Sequence, residues 1–219
     1  MPRKKHKTEI QTLEDFRVAL TNAVNQSEIA TILAEFGYDS EEIAKGSKLL
    51  KKATDTYNLN KQEDNETIEA RADFDTKVEE LEELYSMHRK KGKVVFRKDE
   101  LVLQKLGLSG SLPRSYVKRI EAIQIFYTEL QADAILLDKL ARLKITIKDI
   151  RLGLALISSI QQARTLYLRE IGESQDATKT KDSAFAQLDD WMRDFFAVAK
   201  IAMEDNPQLL EALGILVRS

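Results

Sequence analysis

The sequence aligns with itself. Shifted by 107 residues, positions 14–108 meet positions 121–215 without a gap, and 17 of the 95 pairs are identical. Average residue usage would give about 6 such pairs by chance. The matches run the whole length: Leu33-Ala34 meets Leu140-Ala141, Gly46 meets Gly153, Leu81 meets Leu188, and Leu106-Gly107 meets Leu213-Gly214. Many other pairs keep apolar character, such as Leu50/Ile157 and Leu84/Trp191. The fold must therefore be one that related segments can build twice.

The punctuation of the two copies points to helices. Asp39 and Thr146 are equivalent, and each is followed three residues later by an acid, Glu42 or Asp149. That pattern is a capping box, in which side-chain oxygens accept from free N–H groups of the first turn. Asp99 and Asn206 sit where a short helix begins, and Gly107 and Gly214 where it ends in a left-handed residue. Asn65 and Gly172 are equivalent and tolerate a left-handed backbone, with Thr67 and Ser174 as new caps. A helix break is expected there. The alternative is one continuous helix of nearly 60 residues in each copy. Each copy then reads as four helices: about 13–36, 40–63, 68–97 and 100–106, and again about 115–143, 147–171, 175–204 and 207–213. Within them Val78, Leu81, Leu84 and Tyr85 share one face, as do Phe185, Leu188, Trp191 and Met192. Gly46 and Gly153 stand inside helices, where glycine costs about 1 kcal/mol against alanine. A close helix crossing that excludes a Cβ explains both.

Composition excludes several chemistries. With 43% hydrophobic and 32% charged residues the bulk of the chain folds. There is no Cys, so disulfides, thiolate metal sites and a Cys nucleophile are ruled out. His6 and His88 are the only histidines, too few for a histidine-based metal site or a catalytic triad. No metal and no cofactor is expected. No stretch approaches 18 apolar residues, so no membrane span is expected. The basic start, with Arg3, Lys4, Lys5 and Lys7, has no apolar stretch after it and is no secretory signal. A cytoplasmic protein is the default expectation. The net charge of −2 points to no polyanionic partner by itself.

Four groups of residues could carry function. The first is the basic stretch Arg89, Lys90, Lys91, Lys93, Arg97 and Lys98, which with the N-terminal cations could contact phosphates or an acidic partner. Against it, Lys200 alone keeps the charge in the second copy, and Glu79, Glu80, Glu82 and Glu83 lie just upstream. Cations near a helix C-terminus also need no ligand to explain them. The second is a bundle metal site, which needs Glu-x-x-His pairs. Neither histidine lies three residues after a Glu. The third is the repeated acids Asp75/Asp182, with Glu14/Glu121, Glu63/Glu170 and Glu66/Glu173. Paired carboxylates can divide acid and base roles, but N-terminal helix positions favour acids anyway. The fourth is the aromatic group Trp191, Phe195 and Phe196 beside Met192, together with the apolar run Ile123 to Tyr127. Core packing explains most of it. The surplus points to repeats that pack on each other or to a homodimer. No P-loop, Gly-rich dinucleotide turn, G-x-S-x-G or H-E-x-x-H occurs.

The ending from Ala186 through Asp189-Asp190-Trp191 and Glu204-Asp205-Asn206-Pro207 to Ile215, with Glu35-Phe36-Gly37-Tyr38-Asp39, Ile43 and Gly46, resembles an uncharacterised bacterial family of all-helical proteins. The resemblance implies a duplicated helical bundle and transfers no activity, cofactor or catalytic residue. The expected architecture is all-α, with two tandem four-helix bundle repeats arising from an internal duplication. Residues 1–12 are expected as a flexible basic tail, 13–108 as the first repeat, 109–114 as a linker and 115–219 as the second repeat. The expected function is a non-enzymatic interaction or scaffold protein that binds a protein partner or forms a homodimer. The alternatives are nucleic-acid or acidic-partner binding through the tail and residues 89–98, and a small-ligand binder or enzyme with a pocket between helices.

Overall fold

The structure is a computed structural model that describes residues 7–217. Arg3, Lys4, Lys5 and His6 lie outside the described residues. Every regular element among the described residues is a helix: α1 (Glu9–Asn25), α2 (Ser27–Glu35), α3 (Ser40–Val95), α4 (Glu100–Lys105), α5 (Tyr116–Ala132), α6 (Ala134–Ala141), α7 (Ile147–Ala202) and α8 (Leu209–Ala212). The chain is all-α, as its periodicity predicts. None of these helices is long and apolar enough to cross a membrane.

The expected helix break does not occur. α3 and α7 each run 56 residues without interruption, through Asn65 in one and Gly172 in the other. Gly172 keeps a right-handed backbone, since the positive-φ glycines are Gly37, Gly107, Gly110 and Gly214. An isolated Asn or Gly weakens a helix by about 1 kcal/mol, which tertiary packing on both sides readily outweighs. Breaks occur instead inside the segments expected as single first helices. Gln26 separates α1 from α2, with φ −92° and ψ 105°. Asp133 separates α5 from α6 and accepts a hydrogen bond from the Leu136 N–H at 3.1 Å. Residues 9–12, expected as part of a tail, belong to α1. Thr8 caps α1 in a reciprocal box with Gln11.

Other punctuation is realised in part as expected. Asp39 Oδ1 accepts from the N–H groups of Glu41 and Glu42 at 3.0 and 2.9 Å. At Thr146 the roles are reversed from the expectation: its hydroxyl and its N–H both donate to Asp149 Oδ2 at 2.7 Å. Asp99 caps α4 through the Val102 N–H at 3.1 Å. Asn206 is different: α8 begins only at Leu209, behind Gln208. Among the described residues Lys144 is the one non-glycine residue with positive φ, at 58°, where the aligned position holds Gly37.

The chain forms two compact units, and they do not follow the repeat boundaries. Unit 1 comprises residues 1–65 and 172–219; unit 2 comprises residues 66–171. Each unit therefore takes half of α3 and half of α7. Unit 1 adds α1, α2 and α8, and its core holds Leu20, Ile29, Leu33, Leu188, Met192 and Phe195. Unit 2 adds α4, α5 and α6, and its core holds Leu81, Tyr85, Leu106, Phe126, Tyr127 and Ile150. Burying each such side chain contributes roughly 1.5–3 kcal/mol. The segment expected as a linker, 109–114, belongs to unit 2.

The two internal glycines have a shared cause, different from the expected helix crossing. A Cβ on Gly46 would overlap the ring of Trp191, and one on Gly153 would overlap the ring of Tyr127. In each unit an aromatic ring lies flat on bare backbone. Trp191 also stacks on Phe195 at 5.5 Å and meets the edge of Tyr38. Tyr127 meets Phe126, Tyr85 and His88 edge to face.

This packing separates glycines that look alike in sequence. Gly172→Ala places its methyl in open space and is expected to raise stability by about 1 kcal/mol, the helix-propensity gain. Gly153→Ala drives the buried Tyr127 ring out of place and is expected to lower stability by about 1 kcal/mol net, since overpacking costs roughly 1–3 kcal/mol against the same gain. Urea unfolding midpoints of the two variants check both signs.

Candidate functional site

Three features converge on the part of α3 within unit 2. The first is the basic stretch, which the structure divides. Successive residues on a helix point about 100° apart, so these cations do not share a face. Arg89 donates to the carbonyl oxygens of Gly107, Leu108 and Gly110 at 3.1, 3.3 and 2.8 Å, and to the Tyr85 hydroxyl at 3.3 Å. Lys93 also donates to the Gly110 carbonyl, at 3.0 Å. Both side chains tie down the chain that follows α4, whose end carbonyls have no partner in their own helix. Lys91 is half-buried, and Lys90, Arg97 and Lys98 are exposed. Arg97 and Lys98 follow the end of α3, and Lys98 shares a small recess with Lys139 and Arg142. In unit 1, Lys7 pairs with Asp15 at 2.5 Å.

The second feature is a buried polar group that sequence reasoning passed over. His88 is 3% exposed. Its Nδ1 is hydrogen-bonded to the Tyr127 hydroxyl at 3.1 Å. Burial pushes the His88 pKa below its ordinary value, with the Asp149 charge opposing and Lys91 adding to the fall. Burial likewise raises the phenols of Tyr127 and Tyr85. Burial also pushes Asp149 upward, but the Thr146 hydroxyl and N–H outweigh it and hold that carboxyl below the usual range. Phe195 occupies the equivalent position in unit 1, so His88 is a polar residue in a core slot. The sequence signal was available: His88 falls at the spacing of Leu81, Tyr85 and Gly92 on the buried face.

The third feature is an open groove of about 850 Å³, lined by Glu80, Glu82, Glu83, Leu84, Ser86 and Met87 of α3 and by Leu152 and Leu156 of α7. Met87 is 57% exposed and Leu152 50%. Glu82 forms an ion pair with Arg119 of α5; Glu80 and Glu83 form none among the described residues. The groove is apolar along its floor and negative along one rim. At the corresponding place in unit 1 the residue equivalent to Leu84 is Trp191, whose ring covers Gly46 and whose Nε1 donates to Glu42 at 3.0 Å.

Several of the other acids singled out in sequence pair with cations inside their units. Asp75 pairs with Arg71 at 3.3 Å in unit 2, and Asp182 lies 3.5 Å from Lys181 in unit 1; both acids are exposed. Glu14 pairs with Arg17 at 2.7 Å. Glu170 is buried, with the Arg169 guanidinium 2.7 Å from its Oε1. The aromatic group of the second copy enters the core of unit 1: Met192 and Phe195 are fully buried, and Phe196 packs against Phe16 at 6.1 Å. Ile123, Phe126 and Tyr127 are likewise core, in unit 2. Much of the apolar surplus thus packs within the units, while Ile125 of the same run stays 41% exposed.

Two measurements follow from this chemistry. Arg89→Ala removes several charged hydrogen bonds and is expected to lower stability by roughly 2 kcal/mol, whereas Lys90→Ala, on the exposed side, stays within about 0.5 kcal/mol of the parent. Chemical denaturation separates the two. His88, with its folded pKa depressed, adds stability that is complete above the unfolded value near 6.5 and is lost as pH falls from there toward the folded pKa. His88→Phe is expected to flatten the dependence of the thermal midpoint on pH just below 6.5, read by circular dichroism. No family model matches this chain, and neither a curated protein nor a solved structure does.

Proposed function

We propose that this protein is a non-enzymatic interaction protein, and that it binds a helical protein partner through the groove of unit 2. The groove carries the reading. Leu84, Met87, Leu152 and Leu156 form an apolar strip on two helices, with Glu80 and Glu83 at its edge. Apolar strips of this kind, rimmed by charge, fit the apolar face of an amphipathic helix. The unit interiors favour the same reading over a ligand-filled bundle, because Trp191 and Tyr127 occupy the space over Gly46 and Gly153. Phosphate binding by the basic stretch is disfavoured by the engagement of Arg89 and Lys93 with loop carbonyls.

The proposal includes the origin of the chain. We read it as an internal duplication of about 107 residues whose two copies share their halves between two compact units. The 17-residue α1 and α5 and the 56-residue α3 and α7 start 107 positions apart, which supports that reading. After duplication the two grooves diverged: Trp191 closes one, and Leu84 leaves the other open.

The test is native mass spectrometry of the protein purified gently from its own cells, beside Leu152→Asp. Leu152 is half-exposed, so the charge leaves the fold intact, as circular dichroism verifies. The expected result is a protein partner on the parent chain and at least tenfold less of it on the variant, as for loss of a central apolar contact. A bare parent, or a partner retained equally by the variant, would overturn the proposal.

A further inference from the structure

The outward face of α3 in unit 2 has an order that the groove alone does not explain. Glu80, Glu83, Met87, Lys90 and Val94 follow one another at steps of three and four, which places them on one stripe of α3. All five are exposed. The stripe lies opposite the buried set Leu81, Tyr85 and His88. Its charges are sorted: Glu80 and Glu83 on the N-terminal side of the apolar Met87, and Lys90 on the C-terminal side. Glu80, Glu83 and Lys90 form no ion pair among the described residues. Leu152 of α7 and Leu84 flank the centre.

Such a stripe is complementary to itself when reversed. Two copies laid antiparallel about an axis at Met87 bring Glu83 of each beside Lys90 of the other. The two Met87 side chains then meet at the axis, and an apolar seam continues into the flanking leucines. Parallel pairing would set like charges together, so the orientation is determined. An isologous contact of this kind closes as a two-fold dimer and leaves no open end. The equivalent stripe on α7 in unit 1 runs Gln187, Asp190, Asp194, Ala197 and Ile201. It carries acids without matching bases, so the property belongs to unit 2.

We propose that this face of α3 is a self-association surface whose occupant is a second copy of the same chain, paired antiparallel about Met87. The proposal rests on the reading of the groove as a partner site and names that partner.

Charge exchange tests it on the full-length chain by sedimentation velocity. Glu83→Lys and Lys90→Glu each set like charges across the axis and are expected to weaken the dimer by about tenfold or more. The double variant E83K/K90E restores opposite charges and is expected to recover it. Added salt weakens the parent dimer in the same direction. Because the chain has no cysteine, Met87→Cys supplies a single thiol, expected to give a disulfide-linked dimer under mild oxidation. A parent that stays monomeric overturns the proposal. So does a dimer that survives both single variants, a double variant that is not restored, or a Met87→Cys chain that does not cross-link. A different protein found on the groove of a monomeric chain overturns self-pairing and leaves the groove reading standing. A bare monomer removes both.

Discussion

The unbroken hydrogen-bond ladders of α3 and α7 govern the rest of this architecture. Each runs 56 residues, and neither turns back at the position where a self-contained four-helix repeat requires it to. Once a helix continues past Asn65 or Gly172, its second half leaves the neighbourhood of its own first half. It must bury its apolar stripe against whatever lies there. The half of α3 that follows Asn65 packs with α5, α6 and the first half of α7; the half of α7 that follows Gly172 packs with α1, α2 and the first half of α3. Helix continuity thus divides each long helix between the two units. The short elements are subordinate. α4 and α8 end in left-handed glycines, and in unit 2 Arg89 and Lys93 secure the carbonyls beyond α4.

Within each unit the same device positions the long helices. A glycine in the first half of α3 or of α7 exposes bare backbone, and an aromatic ring lies on it. The ring comes from different elements in the two units: Trp191 from α7 in one, Tyr127 from α5 in the other. That difference propagates outward. Trp191 reaches the surface, donates to Glu42 and closes its side of unit 1. Tyr127 is wholly buried and takes His88 as its hydrogen-bond partner. Leu84, Met87, Leu152 and Leu156 of the same unit line the open groove.

Much of this was legible in the residues. The all-helical fold, the caps at Asp39 and Asp99, and the core stripe of α3 all depend on local spacing and local hydrogen bonding. The breaks at Gln26 and Asp133 were not legible, because Gln26 carries no capping side-chain bond and Asp133 resembles any exposed acid. Continuity through Asn65 and Gly172 was undecidable locally, since a weak helix former holds or breaks according to its packing. The basic stretch was the least legible. Its six cations are alike in sequence, yet two of them secure a loop while Lys90 shares an exposed face with Glu80, Glu83 and Met87.

By itself the sequence determined which segments are helical and which faces are apolar, because helix propensity, capping and 3.6-residue periodicity act over a few neighbouring positions. It also determined the charge order along the outer stripe of α3. Tertiary structure alone decided which halves form a unit, which ring covers each glycine, that His88 is buried against Tyr127, and that one groove is closed while the other stays open. Those outcomes depend on contacts between residues far apart in the chain, where competing partners differ by small packing energies. Only the assembled core selects among them.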